Sequence, residues 1–162
     1  MSDSIRQFKK VMSHFPTGVC VVTARCNGDA VGLTVNSFTS VSLDPLMVLI
    51  CITRNTTAHE VISQAGAYTV SILAEGQESV STVFAGAPNN QRFSLVQTEA
   101  SPLGNPVVEG AIAFLDAEIV DSRDAGDHTI FIGRVTALHL MHEDARPLVY
   151  HRGGYRRLAP QD

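Results

Sequence analysis

The run Gly32-Leu33-Thr34-Val35-Asn36-Ser37-Phe38-Thr39-Ser40-Val41-Ser42-Leu43-Asp44-Pro45 sets hydroxyl and amide side chains among apolar ones, between two strongly apolar segments. A buried strand rarely carries so many polar groups, because each donor or acceptor left without a partner costs free energy. A polar ligand such as a phosphate, a sugar or a heteroaromatic ring would supply the partners. An edge strand and turn with solvated hydroxyls would have the same composition. By itself the run leaves both readings open.

A second candidate lies at Arg54-Asn55-Thr56-Thr57, just before a predicted helix. Free backbone N–H groups and the helix dipole favour an anion there, and Thr56 or Thr57 adds a hydroxyl. An ordinary N-cap, satisfied by Thr57 alone, is the plainer alternative. Arg92 has the fork geometry that pairs with phosphate, or it sits in a surface salt bridge. Phe93 reads as a core anchor or a ring contact, and Phe84, spaced helically with Val80, as core.

Histidines at 14, 59, 128, 139, 142 and 151 raise the question of a metal. A metal site needs several ligands converging within a defined shell. His139 and His142 are three apart in a stretch that reads as strand, which would turn them to opposite sides. No metal site is expected. No serine sits in a GxSxG elbow, so Ser-His-Asp catalysis is not expected either.

The elements that must position these residues follow from periodicity. Ile5, Phe8, Met12 and Phe15 predict an amphipathic helix over 4–15, stopped by Pro16. Gly18 to Ala24 predicts a strand, Asn27-Gly28-Asp29 a hairpin turn, and Val31 to Val35 the returning strand. Leu46 to Ile52 reads as a buried strand. Thr57 and Glu60 form a capping-box pattern for a helix over 58–64, ended by Gly66. Strand returns from Tyr68 to Leu73, and Val80, Val83 and Phe84 predict a helix within 76–86. The stretch 87–110, with Pro88, Pro102 and Pro106, reads as irregular connection, often a functional feature in a small domain. Strands are predicted near 111–121, 128–140, 147–151 and 154–158. About seven strands with short helices favour an antiparallel barrel over a doubly wound parallel sheet. No GxGxxG follows a strand, so the dinucleotide fingerprint is missing.

A chain of 162 residues fits one domain over 1–162, and an apolar share of 44% is ample for a core. The net charge of −4 is mixed in sign, and Lys9-Lys10 and Arg156-Arg157 are too short for a basic stripe, so nucleic acid is not an expected partner. No apolar run approaches the ~18–20 residues of a membrane helix, and the N-terminus lacks a signal-peptide pattern. Cys20, Cys26 and Cys51 are an odd count without CxxC spacing, which suits a reduced, cytoplasmic protein.

Three segments look like the short-chain flavin reductase family in order and spacing: Phe15-Pro16-Thr17-Gly18-Val19, Thr34 through Pro45, and Gly126-Asp127-His128 with the apolar run after it. Arg92-Phe93 and Pro147-Leu148-Val149-Tyr150 add to the match, which spans nearly the whole chain. The resemblance implies a mostly β fold: an FMN-binding split β-barrel, antiparallel and Greek-key-like, with a few short flanking helices. It implies a homodimer with flavin at the barrel rim near the interface. It also implies an NAD(P)H:flavin oxidoreductase, reducing FMN or FAD with NADH or NADPH and supplying a partner monooxygenase. One departure stands out. The family commonly has two prolines after the aspartate, whereas here Pro45 is followed by Leu46 and Met47.

By this resemblance Thr34, Asn36 and Ser37 meet the isoalloxazine edge and ribityl chain. Ser40 and Ser42, with Val41 between them, face ribityl or phosphate oxygens. Cys51 and Ile52 pass beside the flavin through their backbones, Thr57 and Arg92 meet the phosphate, and His128 is the catalytic candidate beside the nicotinamide. Flavin chemistry needs no protein nucleophile or metal, since the cofactor carries it and the protein orients it. The weak basic clusters give NADH a slight preference. The alternative is a non-catalytic flavin carrier or redox sensor on the same barrel.

Overall fold

Helix α1 (Asp3–Met12) begins on Ser2, whose hydroxyl accepts the Ile5 N–H, and it carries Asp3 in its first turn and Lys9 and Lys10 in its last. That charge order complements the helix dipole. The helix is shorter than its apolar spacing suggests. Ser13 closes it by donating its hydroxyl to the Lys10 carbonyl at 2.8 Å. The computed structural model describes residues 2–159. No helix among them is long and apolar enough to cross a membrane.

After α1 come β1 (Thr17–Gly18), β2 (Cys20–Cys26), β3 (Asp29–Val35), β4 (Thr39–Leu43) and β5 (Leu46–Thr53). Helix α2 (Thr57–Ala65), β6 (Ala67–Ile72), α3 (Glu78–Gly86) and α4 (Asn89–Leu95) follow. The chain then forms β7 (Thr98–Ala100), β8 (Pro106–Val108), β9 (Ala113–Ala125), β10 (His128–Leu140), β11 (Val149–His151) and β12 (Gly154–Arg156). The β2–β3 turn is the expected hairpin: Asn27 and Gly28 take φ of 50° and 90°, the left-handed pair that matches strand twist. Gly66, at φ 65°, ends α2 as expected.

Seven strands form one antiparallel sheet in the order β3-β2-β6-β9-β10-β5-β4. Strands β3 and β4 are consecutive in the chain yet occupy the two opposite edges. A flat sheet of this width would separate its edges by roughly 29 Å at about 4.8 Å per strand. Residues 36–38 and their flanking bonds reach only about 14 Å when fully extended. The sheet therefore has to curl until its edges face each other. No ladder joins β3 to β4, and the barrel stays split.

The curled sheet encloses Val22, Val31, Ile50, Ile52, Tyr68, Val70 and Phe131, with Ile62 of α2 packed among them. A second cluster of Val19, Val21, Leu73, Phe84, Val96, Val108 and Leu148 lies on the other face of β2. Alternate residues of β2 thus feed two cores, which explains why five consecutive positions of that strand are buried.

The region 87–110 corrects the expectation of an irregular connection. It contains α4 and the β7–β8 pair. Helix α4 is stitched to the outer edge of β3: Asn89 Nδ2 donates to the Ala30 carbonyl at 3.1 Å, and the Arg92 guanidinium donates to the Gly32 carbonyl. Strand β8 is held by Thr23, which donates to the Pro106 carbonyl at 2.5 Å, and by Ser71, which accepts the Val108 N–H at 3.1 Å. Buried Asp116 accepts from Thr69 and, at 3.0 Å, from the Leu103 N–H. Such short elements have no periodicity of their own, and tertiary hydrogen bonds hold them.

Candidate functional site

The loop that crosses the split is held by Ser37. Its hydroxyl accepts the Cys51 N–H at 3.2 Å and donates to the Cys51 carbonyl at 3.1 Å. That side chain is occupied in tying the crossing to β5, so what Ser37 offers a ligand is its backbone. Thr34 likewise donates its hydroxyl to the Ser81 carbonyl on α3 at 2.7 Å. Asn36 is exposed and its side chain has no hydrogen bond among the described residues, which leaves its amide for a ligand.

Three cavities meet along this crossing. One, of about 380 Å³, lies between α2, α3 and α4 and includes Thr34, Thr53, Thr56, Thr57, Asn89 and Arg92. A second, of about 200 Å³, includes Thr34, Asn36, Ser81, Tyr150 and Tyr155. A third, of about 370 Å³, is bounded by Phe15, Thr17, Gly18, Asn36, Phe38 and Thr39. Thr34 is shared by the first two and Asn36 by the last two, so the cavities adjoin in a row, a segmented groove along the open edge of the barrel.

The α2 end of the groove corrects the expected capping. The N-cap is Thr56, not Thr57: the Thr56 hydroxyl accepts the His59 N–H at 3.2 Å and donates to the Thr53 carbonyl at 2.9 Å. Asn55, at φ 58°, turns the chain one residue earlier than the capping-box pattern suggests. Thr57 is consequently the first helical residue, with an exposed hydroxyl that no other side chain or carbonyl engages, at the cavity edge. Among the described residues Arg92 forms no salt bridge. It donates Nε to the Ala87 carbonyl at 2.8 Å and a second nitrogen to the Gly32 carbonyl. Burial lowers its pKa from the ordinary value, but a guanidinium remains charged at neutral pH.

His128 opens β10 opposite Thr53 of β5. Its Nε2 is 3.2 Å from the Thr53 hydroxyl and its Nδ1 is 2.7 Å from Asp127 Oδ1. The hydrogen bond to His128, and then its charge, hold the Asp127 carboxyl below its ordinary pKa. Since Thr53 also lines the α2 cavity, His128 stands at the rim of the groove with one ring nitrogen oriented by a carboxylate.

The remaining candidates separate from this cluster. Ser40 is exposed on the β4 edge, Val41 sits in the register shift between Ser40 and Ser42, and Ser42 accepts the Asp44 N–H at 3.2 Å in the β4–β5 turn. Ser42 pairs with Met47 while His128 pairs with Thr53. Those partners are six residue steps apart along β5, about 20 Å at roughly 3.3 Å per step. Ile52 is fully buried in the core and has only its backbone to present. Burial raises the Cys51 thiol pKa, which keeps it protonated. Cys20 is pushed up to about 12 by the same cause.

Thr53, Asn89, Ser81, Tyr155 and Thr17 belong to the groove without having stood out in the sequence. Thr17 was legible in part, as a polar residue between Pro16 and Gly18. Its Oγ1 is buried without a partner at the cavity beside Asn36. No group of three His, Cys, Asp or Glu side chains converges among the described residues. His139 lies on β10 and His142 in the turn after it, so strand alternation does not govern that pair.

A curled antiparallel barrel with an anion-ready helix start, a polar crossing and a carboxylate-oriented histidine along one groove defines a cofactor-binding split barrel. The chain belongs to the flavin reductase-like domain family, whose model matches residues 12–159. It is 42% identical over 156 residues to an NADH-dependent flavin reductase of a Rhodococcus species, covering 93% of this chain and 84% of that one. It is 36% identical over 155 residues to the reductase subunit of a flavin-dependent monooxygenase from Rhodococcus jostii, covering 96% and 78%. The solved NADH:FAD oxidoreductase of Streptomyces globisporus superposes with a TM-score of 0.92 at 35% identity, covering 99% and 96%. The same oxidoreductase has also been solved with NAD and FAD fragments, at a TM-score of 0.91, 36% identity and coverage of 98% and 94%.

Proposed function

We propose that this protein, one flavin reductase domain over 1–162, is a cytoplasmic oxidoreductase that reduces FMN or FAD with NADH or NADPH. It supplies the reduced flavin to a partner monooxygenase. The observation that carries the reading is the row of neighbouring cavities that share Thr34 and Asn36, with Thr57 and Arg92 at one end and His128 bonded to Thr53 of that end's lining. The residues fit a flavin. Thr17 Oγ1 is a buried polar atom without a partner, and Asn36 is an uncommitted amide beside it. Both suit a heteroaromatic edge carrying donors and acceptors.

A bound flavin would supply the redox chemistry, as the acceptor of a hydride from a reduced nicotinamide and of a proton from water. The chain contributes binding and alignment. Thr57 and the first N–H groups of α2 hold phosphate oxygens, aided by the Arg92 charge. Asn36 and the backbones of Ser37 and Ile52 fix the ring and ribityl chain, while Cys51, whose N–H and carbonyl are both engaged by Ser37, anchors the crossing beside them. Ser40, Val41 and Ser42 line the β4 edge, where a second subunit would complete the site. His128, oriented by Asp127, bonds the nicotinamide amide or ribose and holds the ring over the flavin. Hydride transfer depends steeply on such placement, since well-oriented groups account for up to about 7–11 kcal/mol of a barrier.

The same reading includes a homodimer. Helix α1 has no buried residue. Phe8, Val11 and Phe15 are 66%, 63% and 67% exposed, in line with Ile5 and Met12. A continuous apolar stripe of this kind marks a protein contact. The test is an oxidation assay with NADH and NADPH against FMN, FAD and riboflavin. Consumption that depends on added flavin supports the reading, and flavin binding without consumption would replace it with a carrier.

A further inference from the structure

The first turn of α2 is tied to the barrel at two points, and only one of them is its cap. Thr56 donates to the Thr53 carbonyl at the end of β5, at 2.9 Å. Three residues later, His59 Nε2 lies 2.9 Å from the Thr129 hydroxyl on β10. Thr129 is 4% exposed and donates across the β9–β10 ladder to Asp124 Oδ1 at 2.9 Å. A hydroxyl has one hydrogen and the carboxylate takes it, so the Thr129 oxygen accepts from His59 Nε2–H. Arg54 Nη1 meets Asp124 Oδ2 at 3.3 Å, which holds that carboxylate from its other oxygen. The His59 ring also rests on Phe131, with centroids 5.4 Å apart. A helix start held by its cap alone is free to pivot, and a second bond on the neighbouring strand removes that freedom.

Thr129 directly follows His128, and successive residues of a strand face opposite sides. His128 turns to Thr53 at the groove rim, while Thr129 turns to α2. The helix start that faces phosphate and the histidine beside the nicotinamide therefore hang from consecutive residues of β10. We propose that Thr129 is a positioning residue for hydride transfer. With His59 and Asp124 it holds the start of α2 in register with His128, and so sets one cofactor against the other. The inference rests on the flavin reading of the groove. Thr129 is buried behind the groove and lines none of its three cavities. Its loss should therefore change the rate of transfer more than the affinity for either cofactor.

The experiment compares wild type with Thr129→Val, which keeps the shape and loses the hydroxyl, and with Thr129→Ser, which keeps the hydroxyl. A third variant, Ile62→Val, loosens the core under α2 without touching Thr129. Fluorescence titration gives flavin Kd, stopped-flow bleaching of the flavin gives the transfer rate and the NADH dependence, and a thermal scan reports folding. A misplacement of about 1 Å costs up to about 100-fold in rate. Thr129→Val is expected to slow transfer by about tenfold or more, with both affinities within about twofold. Thr129→Ser should restore the rate, and Ile62→Val should lower Tm with transfer near wild type. In the flavin-free protein, nitrogen NMR should find the His59 hydrogen on Nε2. If Thr129→Val does not fold, Asp124→Ala, at the exposed end of the row, carries the same expected slowing. Transfer at the wild-type rate, a loss that serine does not restore, or an equal loss in Ile62→Val overturns the proposal. So does a fall in flavin affinity as large as the fall in rate, or a His59 hydrogen on Nδ1 alone. A wild type that neither binds flavin nor oxidises NADH fails the flavin reading itself, a separate outcome.

Discussion

Ser37 and Cys51 form the clasp of the split barrel: one hydroxyl serves both backbone groups of one residue, accepting its N–H and donating to its carbonyl at 3.2 and 3.1 Å. At this point the crossing between the sheet edges is tied to β5, directly before the groove. Ser37→Ala leaves both Cys51 groups without their partner, at a cost of about 1–3 kcal/mol where no water replaces it. A lower Tm together with weaker flavin binding is expected. An unchanged Tm would mean that the clasp does not hold the crossing.

Asn36 differs from Ser37 in having no structural bond to lose. Asn36→Leu is expected to leave thermal unfolding intact while weakening flavin binding by about 0.5–1.5 kcal/mol, the usual net value of one hydrogen bond. Titration that finds wild-type affinity would remove Asn36 from the site.

His128 is placed by Thr53 and Asp127, not by the core, so His128→Ala should fold normally. We expect a lower rate of flavin reduction or a higher NADH KM, with flavin affinity little changed. Steady-state kinetics matching wild type would make His128 an ordinary turn residue. Loss of flavin affinity would place it against the flavin instead.

The Asp127–His128 contact has a pH signature whose sign follows from its cause. Pairing with His128 holds the Asp127 pKa below its ordinary 3.8. Its orienting effect is therefore present above the ordinary aspartate range and lost as pH falls through the lowered value. NADH KM should stay flat across that ordinary range and rise only below it, and Asp127→Asn should show the raised KM at every pH. A variant with a wild-type profile would count against orientation by Asp127.

Phe8→Glu places a charge in the exposed stripe of α1 and should produce a monomer in sedimentation at working concentration. If the groove is completed by the second subunit, flavin affinity falls with it. A monomer with undiminished flavin affinity would separate the stripe from the site.

Gly32 lies on β3 where an added Cβ would overlap the ring of Phe84 and press on Phe93. Those rings meet edge to face at 5.5 Å, under the wall of the groove. Gly32→Ala should cost about 1–3 kcal/mol, the usual penalty of overpacking, and calorimetry would show it.

The sequence by itself determined what is written in local pattern. The apolar runs Leu46–Ile52 and 128–140 marked β5 and β10, although the curled sheet fully buries only alternate side chains of β5. Asn27-Gly28 marked the hairpin and Gly66 the end of α2, because those residues accept positive φ. The family-specific runs around Thr17, Asn36 and His128 pointed to the cofactor. Tertiary structure decided the rest. Helix α4 and the β7–β8 pair exist because Asn89, Arg92, Thr23 and Ser71 bond distant strands, and no local window contains those partners. The cap moved from Thr57 to Thr56 because Asn55 turned the backbone first, which left Thr57 open to a ligand. Residues of the polar run parted ways for the same reason. Ser37 and Ser42 spend their hydroxyls on Cys51 and Asp44, while Asn36 spends nothing. Whether a polar side chain is a ligand or a clasp depends on which backbone groups the curled sheet brings within about 3 Å of it, a distance set by residues far away in the chain.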